Sequence, residues 1–136
     1  MEILYLLDTN TVSYCIAGNP PQVRKELDSV SRGSTAVSSV TEAELRYGVA
    51  RNPNAIRRRK SVESFIGNAI ILPWDSAAAR AYGLLRADQE RKGRPLSVED
   101  LMIAAHALSL GLTLVTHDSA FSYVDGLKTE DWTVHS

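Results

Sequence analysis

The sequence predicts an α/β fold, with three layers and a central, mostly parallel sheet of four to five strands. Short strand-like runs recur at 2–7, 35–40, 69–73 and 112–116. Segments with helical spacing separate them, and strands alternating with helices favour a parallel sheet covered on both faces. The first run, Ile3-Leu4-Tyr5-Leu6-Leu7, is continuously apolar, as a strand buried on both faces should be. A chain of 136 residues fits one domain, spanning 1–136, and is long enough to bury roughly two thirds of its unfolded surface.

The first run stops at Asp8. In an open α/β sheet the functional crevice lies beyond the carboxyl ends of the strands, and Asp8 is at such an end. Asp8 or Thr9 fits equally well as the cap of the helix that follows, Thr9–Ala17. Gly18-Asn19-Pro20-Pro21 closes that helix, and Pro21 with Val23, Leu27 and Val30 opens a second one. A second strand is expected at 35–40 and a helix at 41–51, broken by Asn52-Pro53-Asn54. A polar helix follows over 55–68, with Val62, Phe65 and Ile66 as its buried edge, and then a strand at 69–73. The longest helix is expected at 76–92, closed by Gly93-Arg94-Pro95. Ser97 opens a helix over 97–110 that Gly111 ends, and a strand at 112–116 follows. A helical turn at Ser119–Tyr123 and a last strand at 132–134 complete the pattern.

Cys15 is the only cysteine, so no internal disulfide forms, and no run approaches the ~18 apolar residues of a membrane span. The first apolar run lacks a preceding Lys or Arg and is too short for a secretion signal, so the expectation is a soluble, cytoplasmic protein. The net charge of -1 hides a segregation: residues 46–94 carry 11 of the 15 Lys and Arg and only four acids, a segment of +7 between acidic flanks. Solvated helix faces explain such a segment, and so does a polyanionic partner.

Four carboxylates stand at related places: Asp8 after the first strand, Glu44 early in the helix after the second, Asp100 in the first turn of the helix before the fourth, and Asp118 after the fourth. Each also fits a capping role; Thr41 with Glu44, and Ser97 with Asp100, have the capping-box form. Two features argue for more. Ile103, Ala104, Ala107 and Leu108 lie on the same helix side as Asp100 and turn its carboxylate inward, where an unpaired charge is costly. In a parallel sheet the strand ends open on one edge, and four acids would crowd one cleft. Two like charges ~4 Å apart repel by roughly 4 kcal/mol at an effective dielectric of 20. A divalent cation removes that repulsion, and oxygen-only donors favour Mg²⁺ or Mn²⁺. Paired ions of this kind activate water and stabilise the leaving oxygen of a phosphodiester. Ser38 and Ser39 have no neighbouring histidine in sequence, His106 reads as a core residue, and His117, beside Asp118, is within reach of a substrate.

The residues that carry these acids form an ordered set. Leu7-Asp8-Thr9-Asn10 comes first, then Ser38-Ser39-Val40-Thr41-Glu42-Ala43-Glu44-Leu45-Arg46-Tyr47-Gly48. Gly93-Arg94-Pro95-Leu96, Asp100-Leu101-Met102-Ile103-Ala104-Ala105-His106-Ala107, Leu114-Val115-Thr116-His117-Asp118 and Gly126-Leu127-Lys128-Thr129-Glu130-Asp131-Trp132 follow. Together they resemble VapC-type toxins of the PIN-domain family over essentially the whole chain. The resemblance implies a three-layer α/β/α fold and a Mg²⁺- or Mn²⁺-dependent ribonuclease site. It places the family's acids on Asp8, Glu44 (rather than Glu42), Asp100 (rather than Glu99) and Asp118, with Asn10 and Thr116 as polar support. Many relatives carry a further acid just before the Phe that is Phe121 here, where this chain has Ala120, so Asp118 can act through water.

The resemblance also implies a small antitoxin partner that blocks the acidic cleft and represses the operon, a toxin homodimer, and larger toxin–antitoxin assemblies. It points to tRNA as the substrate, with the anticodon loop of initiator tRNA foremost. Arg46, Arg51 and Arg86 of the basic segment are the candidate phosphate contacts. Two other classes of function compete. Leu7-Asp8-Thr9-Asn10-Thr11 also resembles the first motif of haloacid-dehalogenase-type phosphatases, in which Asp8 would attack phosphorus, although that family has an acid where Asn10 stands. A non-catalytic module docking a basic peptide in the acidic cleft is the other.

Overall fold

The computed structural model describes residues 2–94 and 96–134. Strands β1 (Tyr5–Leu7), β2 (Thr35–Ser38), β3 (Ile71–Leu72), β4 (Thr113–Val115) and β5 (Thr129–Glu130) form one sheet. The order is β3-β2-β1-β4-β5, and every pairing is parallel. Six helices connect and cover it: α1 (Thr9–Ala17), α2 (Pro21–Ser29), α3 (Ser39–Arg51), α4 (Ile56–Asn68), α5 (Ser76–Arg91) and α6 (Val98–Leu110). A 3₁₀ turn, Ser119–Tyr123, follows β4.

Successive strand residues point to opposite faces, and the core divides accordingly. Leu6, Ala36 and Leu114 pack with Leu85 of α5, with Leu101, Ile103 and Ala104 of α6, and with Phe121. Their chain neighbours Leu7, Val37 and Val115 pack with Val12, Val23, Leu45 and Val62, one from each of α1 to α4. The result is the three-layer arrangement expected. From β1 the chain runs outward to β2 and β3, then returns to place β4 on the other side of β1. The switch in direction lies between β1 and β4, where open parallel sheets leave a crevice at their carboxyl ends.

Several expected boundaries are corrected. The last strand is Thr129–Glu130, paired with Leu114 and Val115 of β4, and not 132–134. Trp132 is instead buried edge-on against Tyr5, with ring centroids 5.4 Å apart. The Asp131 carboxylate accepts the Thr133 amide at 2.8 Å and its hydroxyl at 2.6 Å, a local turn that competes with a strand. The second strand ends at Ser38 and the helix starts two residues earlier than expected, because Ser38 Oγ accepts the Val40 amide at 3.1 Å and caps α3. Thr41 is therefore inside the helix, and the Thr41–Glu44 capping box does not form. Val30 lies just past α2 in extended backbone. Strands β1, β3 and β4 are shorter than the apolar runs that contain them. Gly18 and Gly111 end α1 and α6 with φ of 69° and 66°, the left-handed region that glycine enters without strain. Pro95 and His135 lie outside the described residues. No helix among the described residues is long and apolar enough to cross a membrane.

Candidate active site

Asp8 sits at the end of β1, where the sequence placed it, and its side chain caps α1. Its amide donates to the Val115 carbonyl at 3.1 Å, and its Oδ1 accepts the Thr11 amide at 2.8 Å. The Thr11 hydroxyl donates to the same Val115 carbonyl at 3.0 Å, which ties the ends of β1 and β4 together. The Asp8 side chain is only 3 % exposed. Burial pushes its carboxyl above the ordinary value, hydrogen bonds from Thr116 and Thr11 oppose that, and the charge of Asp118 adds to it.

Asp100 lies in the first turn of α6, whose cap Ser97 accepts the Asp100 amide at 3.1 Å. Its half-buried carboxyl is also raised, first by burial against a hydrogen bond from Ser97, and then by the charges of Asp118, Asp8 and Glu44. Asp100 therefore feels the charge of each of the other three acids, and Asp8 that of Asp118. The sheet switch point brings Asp8 and Asp118 from β1 and β4, the second turn of α3 brings Glu44, later in its helix than expected because α3 starts early, and the first turn of α6 brings Asp100.

Glu44 is half-buried and accepts the Thr9 hydroxyl at 2.6 Å, and Thr9 shares a second hydrogen bond with Thr41 at 3.0 Å. Glu42 points elsewhere, into an exposed ion pair with Arg46 at 2.8 Å. Asp118 is exposed; its amide donates to Thr116 Oγ1 at 3.0 Å and its Oδ1 accepts the Ala120 amide at 2.9 Å, capping the 3₁₀ turn. Thr116 thus donates to Asp8 while accepting from the backbone of Asp118. Asn10 is exposed at the second position of α1 and makes no side-chain hydrogen bond among the described residues.

Thr9 and Ser97 support the acids directly and Thr41 does so through Thr9, and sequence reasoning assigned all three only to caps. A threonine following the strand-end acid, and another three residues before Glu44, were the available signals. The expected capping box hid them, because it gave the Thr41 hydroxyl another partner.

The candidate nucleophiles fall away. Cys15 is buried, and burial pushes its thiol up to about 11. Ser38 does meet a histidine, with its Oγ 2.8 Å from His106 Nδ1. Both are sealed in the core, at 0 % and 1 % exposure, and burial lowers the His106 pKa, so the pair is a neutral internal hydrogen bond. His117 is exposed beside the acids, 2.8 Å from Asp131, whose hydrogen bond and charge raise its pKa. The larger cavity, about 960 Å³, lies between α2 and α4 and contains none of the four acids. A shallower one of about 670 Å³ is lined by Glu44, Glu99, Tyr47 and Trp74.

The three candidate arginines each have a local partner. Arg46 pairs with Glu42 and with Glu63 at 2.9 Å, Arg51 lies over the Tyr47 ring at 5.5 Å, and Arg86 donates to the Tyr82 hydroxyl at 2.8 Å.

Residues 5–127 match the PIN domain family. The chain is 40% identical over 129 residues to the tRNA(fMet)-specific endonuclease VapC of Shigella flexneri, covering 94% of this chain and 97% of that protein. It is 32% identical to Ribonuclease VapC2 of Rickettsia felis, covering 96% and 98%. Among solved structures it resembles DNA-bound VapBC from Salmonella typhimurium, with a TM-score of 0.89 and 36% identity over 96% of this chain and 98% of that one. It also resembles VapBC2 from Rickettsia felis bound to a promoter DNA fragment, with a TM-score of 0.88 and 30% identity over 96% and 99%. None of these relatives is a phosphatase, and a buried, capped Asp8 is poorly presented for attack on phosphorus. The chain belongs to the PIN-domain family, and within it to the VapC-type nucleases.

Proposed function

We propose that this chain, as a single domain over 1–136, is the toxin of a type II toxin–antitoxin pair and a Mg²⁺- or Mn²⁺-dependent endoribonuclease acting in the cytoplasm. The observation that carries this reading is the convergence of the other three acids on Asp100, with Asp8 and Asp100 both raised, chiefly by burial and further by neighbouring carboxylates. Such a group is unfavourable unless protons or a cation neutralise it. Its donors are all oxygens, which suits Mg²⁺ or Mn²⁺ over softer metals. No three His, Cys, Asp or Glu side chains among the described residues stand close enough to grip one ion, so the acids would have to draw together around a metal.

Asp8, Glu44, Asp100 and Asp118 would hold the metal, with Asp118 acting through water. A divalent cation bound there would make the attacking water easier to deprotonate and would stabilise the negative charge on the departing oxygen of the phosphodiester. The protein's own part is orientation. Thr116 and the Thr11 amide hold the Asp8 carboxylate, Thr9 holds that of Glu44, and Asn10 stands at the mouth.

The substrate is RNA, with tRNA, and the initiator tRNA anticodon loop in particular, as the first candidate. The name of the Shigella relative supports that choice. Arg46, Arg51 and Arg86 are the proposed phosphate contacts. A VapB-like antitoxin and a toxin homodimer are the proposed partners, in keeping with the VapBC structures.

The test is cleavage of total tRNA by the purified, antitoxin-free chain with Mg²⁺ or Mn²⁺. Asp8→Ala, Asp100→Asn and an EDTA control run beside it. A discrete fragment, lost in all three controls, is the expected result, with a loss of at least about a hundredfold in each variant. Intact tRNA would remove that substrate. If every RNA offered survived well-folded protein, the acidic cleft would be a peptide-docking site instead.

A further inference from the structure

The Gly93-Arg94 stretch has no part in the site so far, yet it makes an unusual set of contacts. Arg94 Nη1 donates to the carbonyl of Tyr123, and its guanidinium lies over the Tyr123 ring, 5.4 Å from the centroid. The same carbonyl accepts Gln89 Nε2 at 3.4 Å, from a side chain 1 % exposed. The Arg94 amide donates to the Gln89 carbonyl at 3.0 Å, fixing the loop to the end of α5.

Each side of this contact leads to an acid. Tyr123 ends the 3₁₀ turn that Asp118 caps, and Phe121 anchors that turn in the core. Arg94 is three residues before Ser97, the cap of α6, whose Oγ accepts the Asp100 amide. The two acids thus sit at the starts of two separate elements, α6 and the 3₁₀ turn, and their charges repel. We propose that Arg94 is a positioning residue: by tying the end of α5 to the turn after β4, just ahead of the α6 cap, it fixes Asp100 and Asp118 relative to one another. The proposal deepens the metal-dependent ribonuclease reading and rests on it for the catalytic consequence.

Arginine suits this place because one planar group both donates to a carbonyl and lies on an aromatic ring. Lysine can reach the carbonyl but cannot lie flat on the ring. A nearby contact supplies the control. Lys92 joins Asp88 and Asp125 at 2.9 Å each, linking α5 to the segment just beyond the same turn through exposed charges. It reaches neither Tyr123 nor the α6 cap.

The experiment compares full-length wild type, Arg94→Ala, Arg94→Lys and Lys92→Ala. Mn²⁺ binding is read by electron paramagnetic resonance without RNA, local order by hydrogen exchange, and kcat and KM on tRNA. Misplacing a positioned group by a fraction of an ångström should weaken Mn²⁺ binding and lower kcat about tenfold each in Arg94→Ala, with KM unchanged. Arg94→Lys should fall between, and Lys92→Ala should match wild type. Exchange should quicken at 97–101 and 118–123 while the sheet amides keep their protection.

Faster exchange with wild-type Mn²⁺ affinity would make the contact merely structural and overturn the proposal. A raised KM with unchanged Mn²⁺ binding would make Arg94 an RNA contact and also overturn it. If Arg94→Ala fails to fold, Arg94→Lys decides: weakened Mn²⁺ binding supports the clamp and wild-type binding removes it. A wild type that binds Mn²⁺ but cuts no RNA removes the ribonuclease reading and leaves the clamp standing. A wild type that binds no Mn²⁺ removes the metal, and exchange at Asp100 and Asp118 then decides the clamp alone.

Discussion

Asp8 is held by two opposing influences, and the balance has a measurable consequence. Burial favours its neutral form, while Thr116 and Thr11 favour the carboxylate. Burial wins, and Asp100 follows the same direction with three neighbouring acids adding to it. A carboxyl whose folded pKa lies above its unfolded value binds its proton more tightly when folded. Its stabilising contribution is full below the unfolded value near 3.8 and is lost as pH rises through the folded value. At neutral pH both groups therefore destabilise the metal-free protein. Asp8→Asn and Asp100→Asn should melt above wild type at pH 7 without metal, and the difference should close as pH falls below 3.8. Mg²⁺ should raise the melting temperature of wild type more than that of either variant. Variants that melt no higher than wild type at pH 7 would show that burial and neighbouring charge do not penalise these carboxylates. The places of the acids were legible in the sequence, Asp8 at a strand end and Asp100 on the apolar side of its helix, although each also read as a cap. Their hydroxyl supports were not, since Thr9 meets Glu44 only once α1 and α3 have packed.

The junction of β2 and α3 shows where reading elements from sequence succeeds and where it stops. A strand, a helix and their order were legible from β-prone and helical spacing. The boundary was misplaced, because Val40 favours a strand and Ser38 favours a cap, and the cap prevails. Ser38 Oγ accepts the Val40 amide and also meets buried His106 at 2.8 Å, so one hydroxyl both starts α3 and satisfies a core imidazole. Ser38→Ala removes both contacts. Losing a helix cap costs about 1 kcal/mol and leaving a buried polar group unpaired about 1–3 kcal/mol. A loss of about 2–3 kcal/mol in urea unfolding, with unchanged slope, is the expected result. Ser38→Thr should retain most of that stability if the hydroxyl is what matters. Trp132 shows the opposite failure: its aromatic, β-favouring neighbourhood reads as a strand, but the indole fills a hole beside Tyr5 and the ladder is closed by Thr129 and Glu130 instead.

At the level of the whole molecule, the charge segregation in sequence does not become a single patch in space. The +7 segment at 46–94 runs through α3 and α4, on the sheet face of Leu7, and through α5, on the face of Leu6. With a net charge of -1 and an acidic cleft, RNA cannot be held by overall attraction. Binding must come from a few well-placed cations, and their present partners rank them. Arg46 is already neutralised by Glu42 and Glu63, whereas Arg51, among the described residues, leans only on the Tyr47 ring. A phosphate must displace two carboxylates to reach Arg46 and none to reach Arg51. Each phosphate contact contributes about 0.7 to the slope of log affinity against log salt for single-stranded nucleic acid. With the inactive Asp100→Asn background, Arg51→Ala should flatten that slope by about one contact, and Arg46→Ala by clearly less. Binding measured by fluorescence anisotropy between about 50 and 200 mM salt resolves the two. Equal losses would mean that RNA opens the Arg46 ion pairs on binding. No loss from either would place the phosphate path on α5, leaving Arg86 as the arginine to test.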